Sequence, residues 1–148
     1  RPAPNTIPWD SKAAGLYMIC TLSKHEAEKQ GYSESLMLDH EGNVAESTSA
    51  NVFFKDKHGE LHTPVPDCFL DGITRRTVIE IAKSKNIKVH ERKISPEELS
   101  DFEGCFLTGT AAEITPVSQI AENKYKVCDF ILDLSSSYAK LVRKKKAA

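Results

Sequence analysis

The segment from Val44 to Phe54 limits the possible folds and binding sites of this chain more than any other. It places a carboxylate, Glu46, and an amide, Asn51, in a run of small, hydroxylated and aromatic residues that is typical of a buried strand. Burying an ionised glutamate costs several kcal/mol unless a positive charge and hydrogen bonds compensate for the lost hydration. Glu46 must therefore face water, pair with a basic side chain or meet a cationic ligand. The first two outcomes are common on any strand, whereas the third indicates a binding site.

The size and charge of the chain limit the classes of partner. Its 148 residues suffice for one domain with a substantial core. A formal net charge of -1, with 28% charged residues, provides no field that attracts nucleic acid or a membrane surface. No apolar run reaches the length of a membrane span. We therefore expect small molecules or other proteins as partners.

The cysteines indicate the cellular location of the domain, and the first residues indicate where it begins. The 4 cysteines are widely spaced, without a Cys-x-x-Cys pair or a histidine at zinc-finger spacing, so we expect reduced thiols, no metal site and a cytoplasmic location. The chain opens with Arg1 and has prolines at positions 2, 4 and 8. This composition predicts a connector over residues 1–10 and a domain over 11–148 that follows an absent amino-terminal part.

The hydrophobic pattern predicts an α+β fold with a mixed, largely antiparallel sheet and flanking helices. We expect helices over residues 12–30, 75–86 and 129–144, with the start of the first one buried, and a short helix after the capping box Ser95–Glu98. The last helix has Phe130, Leu134, Tyr138 and Leu141 on one face. Expected strands cover residues 35–39, 44–54, 61–63, 87–92, 104–108 and 114–120.

Three further segments carry groups that suit a bound ligand. Lys12 lies in an apolar turn where limited solvation favours the neutral amine needed for a Schiff base, although a lone lysine is more often a surface residue. Gly72–Arg75 begins a helix whose free N–H groups attract anions, or it is an ordinary threonine cap. Thr108–Glu113 places a glycine and a hydroxyl after a buried strand. An amine, a strand acid and two amide-rich turns suit pyridoxal 5'-phosphate, which has an aldehyde, a ring nitrogen and a phosphate.

These motifs resemble a known family. Ser11–Tyr17, Glu46–Phe53, Gly72–Arg75 and Thr108–Val117 closely resemble the larger, carboxy-terminal domain of fold type IV pyridoxal-phosphate enzymes, and most of all the branched-chain amino acid aminotransferases. The resemblance extends from Pro8 to about Val117 with the motifs in family order. It implies that Lys12 binds the cofactor covalently and moves a proton at the substrate α-carbon. It also implies that Glu46 pairs with the ring nitrogen and that Tyr17 binds the phenolic oxygen.

The resemblance also implies where the anionic groups bind. The amides of Ile73 and Thr74, with the hydroxyls of Thr74 and Thr110, are expected to hold the cofactor phosphate. The amides of Thr110 and Ala111 are expected to receive the substrate carboxylate. Family members have a smaller amino-terminal domain that supplies a phosphate-binding arginine and much of the substrate pocket, and this chain lacks it.

The implied activity is transfer of an amino group from a branched-chain L-amino acid to 2-oxoglutarate by a homodimer. Two alternative enzymes share the same fold, a D-amino acid aminotransferase and an aminodeoxychorismate lyase. The serine-rich Ser47–Asn51 segment is nearer to the D-specific enzymes, whereas Gly109–Glu113 is similar to the branched-chain enzymes. An alternative of another class is an isolated fragment that folds but binds the cofactor weakly or not at all.

Overall fold

Nine strands and three α-helices form within residues 1–143, the part of the chain that the computed structural model describes. The strands are β1 (Leu36–Leu38), β2 (Val44–Ser47), β3 (Asn51–Lys55), β4 (Leu61–Thr63), β5 (Val89–Glu91), β6 (Gly104–Gly109), β7 (Glu113–Val117), β8 (Gln119–Ile120) and β9 (Asn123–Lys124). The helices are α1 (Met18–Lys29), α2 (Ile73–Ser84) and α3 (Asp129–Val142), and two 3₁₀ helices cover Ala14–Tyr17 and Pro96–Asp101.

The main sheet has the strand order β5-β4-β3-β6-β7. Its neighbours are antiparallel except for β4 and β5, which are parallel and are joined by α2. A parallel pair needs such a crossover, because a tight turn can only reverse the chain. The β1-β2 and β8-β9 pairs form separate two-stranded ribbons. The predicted α+β fold with a mixed, largely antiparallel sheet and flanking helices is confirmed.

Both faces of β3 are buried, which explains its continuous apolar sequence. Phe53 points to the side covered by α2 and α3, where its ring stacks on Phe106 at 5.1 Å between centroids. Val52 and Phe54 point to the opposite side, into a cluster closed by the 3₁₀ segment after residue 95. The capping box at Ser95 and Glu98 that starts this segment is confirmed.

The predicted single strand from Val44 to Phe54 is wrong at its centre, where a turn separates β2 from β3. The Ser47 hydroxyl accepts the N–H of Ala50 at 3.1 Å, and the Glu34 carboxylate accepts the hydroxyls of Thr48 and Ser49. Hydroxyl side chains of this kind offer the backbone an alternative to ladder hydrogen bonds. As a result Glu46 belongs to a ribbon with β1, and Asn51 begins the main sheet.

The first helix also differs from its prediction. The Ser11 hydroxyl donates to the Pro8 carbonyl at 2.8 Å, so residues 12 and 13 precede the helical region and Lys12 is exposed. The prediction that the start of this helix and Lys12 are interior is wrong: Met18 is 70% exposed, and Cys20 alone is buried in α1. Tyr17 is half-buried.

Smaller differences concern the remaining elements. Helix α2 begins two residues earlier than predicted, with Gly72 as its N-cap. The strand predicted over 114–120 divides into β7 and β8, and β9 was not predicted. On α3, Leu134 and Tyr138 are buried as predicted, but Leu141 is 50% exposed. The predicted helix end at Lys144 lies outside the described residues. None of the helices in residues 1–143 is both long and apolar enough to span a lipid bilayer.

Candidate functional site

A cavity of about 270 Å³ lies where the ends of β2, β3 and β6 meet the start of α2. Six of the seven predicted site residues line it, together with other polar groups. The lining includes Lys12, Tyr17, Glu46, Ile73, Thr74 and Thr110, and also Arg1, Cys20, Asn51, Gly72 and Thr108. The seventh, Ala111, is exposed and outside this lining. A larger cavity of about 600 Å³, between α1 and β7–β8, contains none of the seven.

Glu46 is the buried acid of the cavity, with 12% of its side chain exposed. Burial raises the pKa of this carboxyl group to about 7, although the Arg1 guanidinium lowers it. The Nε atom of Arg1 lies 3.2 Å from Oε1 of Glu46, but its N–H makes no hydrogen bond within residues 1–143. The cavity therefore presents an acid whose negative charge is incompletely compensated.

Tyr17 and Cys20 lie on the same wall as Glu46. Burial raises the pKa of the Tyr17 hydroxyl, and the nearby Glu46 charge raises it further. Burial also raises the pKa of the Cys20 thiol, against the effect of Arg1, whose Nη1 donates to Sγ at 3.2 Å. Both groups therefore remain protonated at neutral pH. Lys12 also lines the cavity and is exposed to solvent.

The start of α2 forms the anion-accepting side of the cavity. The first helical hydrogen bond runs from the Arg76 N–H to the Gly72 carbonyl at 3.0 Å, so the N–H groups of Ile73 and Thr74 have no partner inside the helix. Gly72 is the N-cap, and no side chain caps it within the described chain, so the threonine-cap alternative is wrong. The Thr74 hydroxyl lies 3.3 Å from the Tyr138 hydroxyl, a contact that the sequence did not indicate.

The end of β6 adds a second polar edge. Thr108 is 1% exposed, lines the cavity, and its Oγ1 has no hydrogen-bond partner within residues 1–143. Buried hydroxyls nearly always have partners, so this one indicates a polar group that binds in the cavity. Gly109 follows, and a Cβ there would lie 3.4 Å from the Ala50 Cβ. The cavity therefore suits a ligand with a cationic group near Glu46 and an anionic group near α2.

Comparison with known proteins identifies the family of the chain. The model of the amino-transferase class IV family matches residues 4–120. The chain belongs to the class IV aminotransferases. A probable branched-chain-amino-acid aminotransferase of Rickettsia bellii is 43% identical over 150 residues, which cover 97% of this chain and 50% of the relative. The class IV chain described here thus spans about half the length of the curated relatives it matches.

Solved structures of class IV aminotransferases have the same fold. A branched-chain aminotransferase of Thermoproteus uzoniensis, crystallised with norvaline, superposes with a TM-score of 0.91 at 35% identity, over 99% of this chain and 52% of the other. The branched-chain amino acid aminotransferase of Thermobaculum terrenum in its PLP-form superposes with a TM-score of 0.90 at 34% identity, over 95% and 47% of the two chains.

Several polar residues that line the cavity were absent from the predicted set, among them Arg1, Cys20, Asn51 and Thr108. For Asn51 a signal was available, since a buried amide in an apolar run needs partners in the same way as Glu46 does. Thr108 lies beside Asn51 in the β3–β6 register, which no local pattern encodes. The contact between Arg1 and Glu46 joins positions far apart in the sequence.

Proposed function

We propose that this class IV aminotransferase chain is the cofactor-binding half of an enzyme that transfers the amino group of a branched-chain L-amino acid to 2-oxoglutarate, using pyridoxal 5'-phosphate. The observation that carries the proposal is the buried Glu46, which shares one cavity with Lys12, Tyr17 and the start of α2. The relatives named branched-chain aminotransferases support the substrate class, and the PLP-form of one of them supports the cofactor.

The residues near Glu46 suit the aldehyde end and the ring of this cofactor. Bound pyridoxal phosphate supplies an aldehyde carbon for amines and a ring that accepts electrons from the substrate α-carbon. Lys12 would hold the aldehyde carbon and carry the proton to and from the substrate. Glu46 would keep the ring nitrogen protonated, and that positive charge would in turn favour the ionised carboxylate. Tyr17 would donate its hydroxyl proton to the phenolic oxygen.

The opposite side of the cavity suits the phosphate. The N–H groups of Ile73 and Thr74, which have no partner inside α2, would bind phosphate oxygens together with the positive end of the α2 dipole. The hydroxyls of Thr74 and Thr110 would add to them, and the amides of Thr110 and Ala111 would receive the substrate carboxylate. Thr110 and Ala111 are both exposed, so a substrate that enters from solvent would reach this segment.

The proposal extends to parts that this chain lacks. An amino-terminal domain would supply a phosphate-binding arginine and the walls that select the substrate side chain, and the whole enzyme would act as a homodimer. The half-length match to the curated relatives supports a second domain. We also propose a cytoplasmic location, because all four cysteines of the chain are free thiols.

The test is transamination with chiral analysis of the product. The chain would be loaded with pyridoxal phosphate, alone and mixed with the amino-terminal half of the Rickettsia bellii relative, then given L-leucine and 2-oxoglutarate. We expect L-glutamate, and no product from the Lys12→Ala variant. Formation of D-glutamate from a D-amino acid donor would replace the proposal by the D-specific alternative. If the chain is folded but neither sample takes up the cofactor or forms product, the proposal is contradicted.

A further inference from the structure

Asn51 connects the Glu46 side of the cavity to the turn that precedes α2. Its side chain is buried, and its Nδ2 donates to the Leu70 carbonyl at 2.9 Å. Its Oδ1 accepts the N–H of Gly72 at 3.1 Å. One side-chain amide thus satisfies a carbonyl and an N–H of the three residues that immediately precede the helix. This pairing fixes both ends of the Leu70–Gly72 turn against β3.

The fit between Asn51 and Gly72 is close enough to exclude a side chain at position 72. A Cβ there would lie 2.4 Å from Oδ1 of Asn51, whereas the next atoms are at 3.6 Å, also in Asn51, and 3.8 Å, in Arg75. The Gly72 backbone has φ -61 and ψ 142, which any L-amino acid adopts. Glycine is therefore favoured at this position by the Asn51 contact, since a Cβ would displace the Asn51 amide, and not by its backbone angles.

The turn that Asn51 holds determines where the α2 amides point. Gly72 is the N-cap, so its position sets the direction of the N–H groups of Ile73 and Thr74, which have no partner inside α2 and belong to residues that line the cavity. Thr108 provides an independent sign that a polar ligand binds here. It is the register partner of Asn51 on β6, and its buried hydroxyl lacks a hydrogen-bond partner among residues 1–143.

We propose that Asn51 is a positioning residue for the anion-binding side of the cavity. Its amide holds the Leu70–Gly72 turn so that the first N–H groups of α2 converge on the phosphate of the ligand, and it thereby sets the preference for a phosphorylated over an unphosphorylated ligand. This inference rests on the proposed function, since it takes pyridoxal 5'-phosphate as the ligand. It extends that function by assigning phosphate selectivity to a residue that need not touch the phosphate.

The first test compares the affinities of pyridoxal 5'-phosphate and pyridoxal, measured by absorbance titration of the chain. Asn51→Ala should weaken binding of the phosphorylated compound about tenfold, the scale of one or two lost hydrogen bonds, and leave pyridoxal binding unchanged. In Asn51→Asp the side chain cannot donate to the Leu70 carbonyl and carries a negative charge. Its loss of affinity for pyridoxal 5'-phosphate, relative to pyridoxal, should therefore be larger than that of Asn51→Ala. Tyr125→Phe is the matched control, since it removes a buried bond to the Leu99 carbonyl in another cluster and should alter neither affinity.

Two outcomes of this titration have different meanings. If the Asn51 variants bind both compounds equally more weakly, or bind both as tightly as the wild-type chain does, the proposed role of Asn51 is overturned. A wild-type chain that binds the two compounds equally would instead contradict the phosphate site of the proposed function.

The second test needs no ligand. Gly72→Ala should lower the unfolding midpoint of the wild-type chain by roughly 5 °C, because the new Cβ collides with Asn51. In the Asn51→Ala background the same substitution should lower the midpoint by less than about 1 °C, because the colliding atom is gone. Additive effects of the two substitutions would show that Asn51 does not hold the turn, and would overturn the inference whatever the ligand is.

Discussion

The Nε atom of Arg1 lies 3.2 Å from Oε1 of Glu46, and only 5% and 12% of the two side chains are exposed. Even so, burial raises the pKa of Glu46 to about 7, because the cation offsets only part of the lost hydration. The carboxylate thus remains able to bind a second positive group from the cavity. A protonated ring nitrogen is such a group, and this relationship underlies the proposed function.

The raised pKa of Glu46 predicts that stability falls as pH rises. The folded chain retains a proton that the unfolded chain, with the ordinary carboxyl pKa of 4.5, has already released. The contribution of Glu46 to the free energy of unfolding is therefore largest below pH 4.5 and is lost as pH rises through 7, a change of roughly 3 kcal/mol for this group. Urea unfolding of the wild-type chain and of Glu46→Gln at pH 5 and pH 8 measures the difference.

The Glu46→Gln variant should lose this component of the pH dependence, whereas Glu122→Gln, which changes an exposed glutamate, should retain it. Identical pH profiles for wild type and Glu46→Gln would show that the carboxyl group titrates normally. That result would remove the electrostatic argument for a cationic ligand.

Among the charged residues, removal of the Arg75 side chain should lower the free energy of unfolding most. Its side chain is 1% exposed, and it donates to Asp71 at 2.9 Å, to Glu91 at 2.8 Å and to the Pro64 carbonyl at 3.0 Å. Arg75→Ala removes all three bonds and leaves a cavity, so it should lower the free energy of unfolding by about 3–5 kcal/mol. Chemical denaturation followed by circular dichroism measures the loss.

The neighbouring Arg76 provides a matched control. It is about half-exposed and lies 3.3 Å from the same Asp71 carboxylate. Exposed ion pairs contribute little, so Arg76→Ala should cost less than about 1 kcal/mol. Comparable losses for the two variants would contradict a special role for the buried guanidinium.

The capping box before the second 3₁₀ helix makes a smaller, local contribution. The Ser95 N–H donates to Oε1 of Glu98 at 2.9 Å, and the Ser95 side chain accepts the Glu98 N–H in return. Ser95→Ala should therefore lower the free energy of unfolding by about 1 kcal/mol. Ser100 is exposed, so in the same denaturation assay Ser100→Ala should lower the free energy of unfolding by less than half of that amount. Equal losses for the two variants would argue against a stabilising cap at Ser95.

Local sequence signals predicted part of this fold and of its cavity. The Ser95–Glu98 box and the helical spacing after Gly72 each depend on neighbours in the chain, and both are present. The turn after Ser47 was missed because hydroxyl and carboxylate contacts, including two from Glu34, replaced ladder hydrogen bonds. The parallel β4–β5 pair and the contacts of Arg1 and Asn51 depend on tertiary packing, which periodicity does not encode.

Peptide mapping after borohydride reduction tests the central claim most directly. The chain would be incubated with pyridoxal phosphate, reduced, digested and analysed by mass spectrometry for the lysine that carries the phosphopyridoxyl group. We predict the label on Lys12, its loss in Lys12→Ala and its retention in Lys24→Ala. A label on Lys24 or Lys29 with Lys12 unmodified would contradict the assignment of this cavity as the cofactor site.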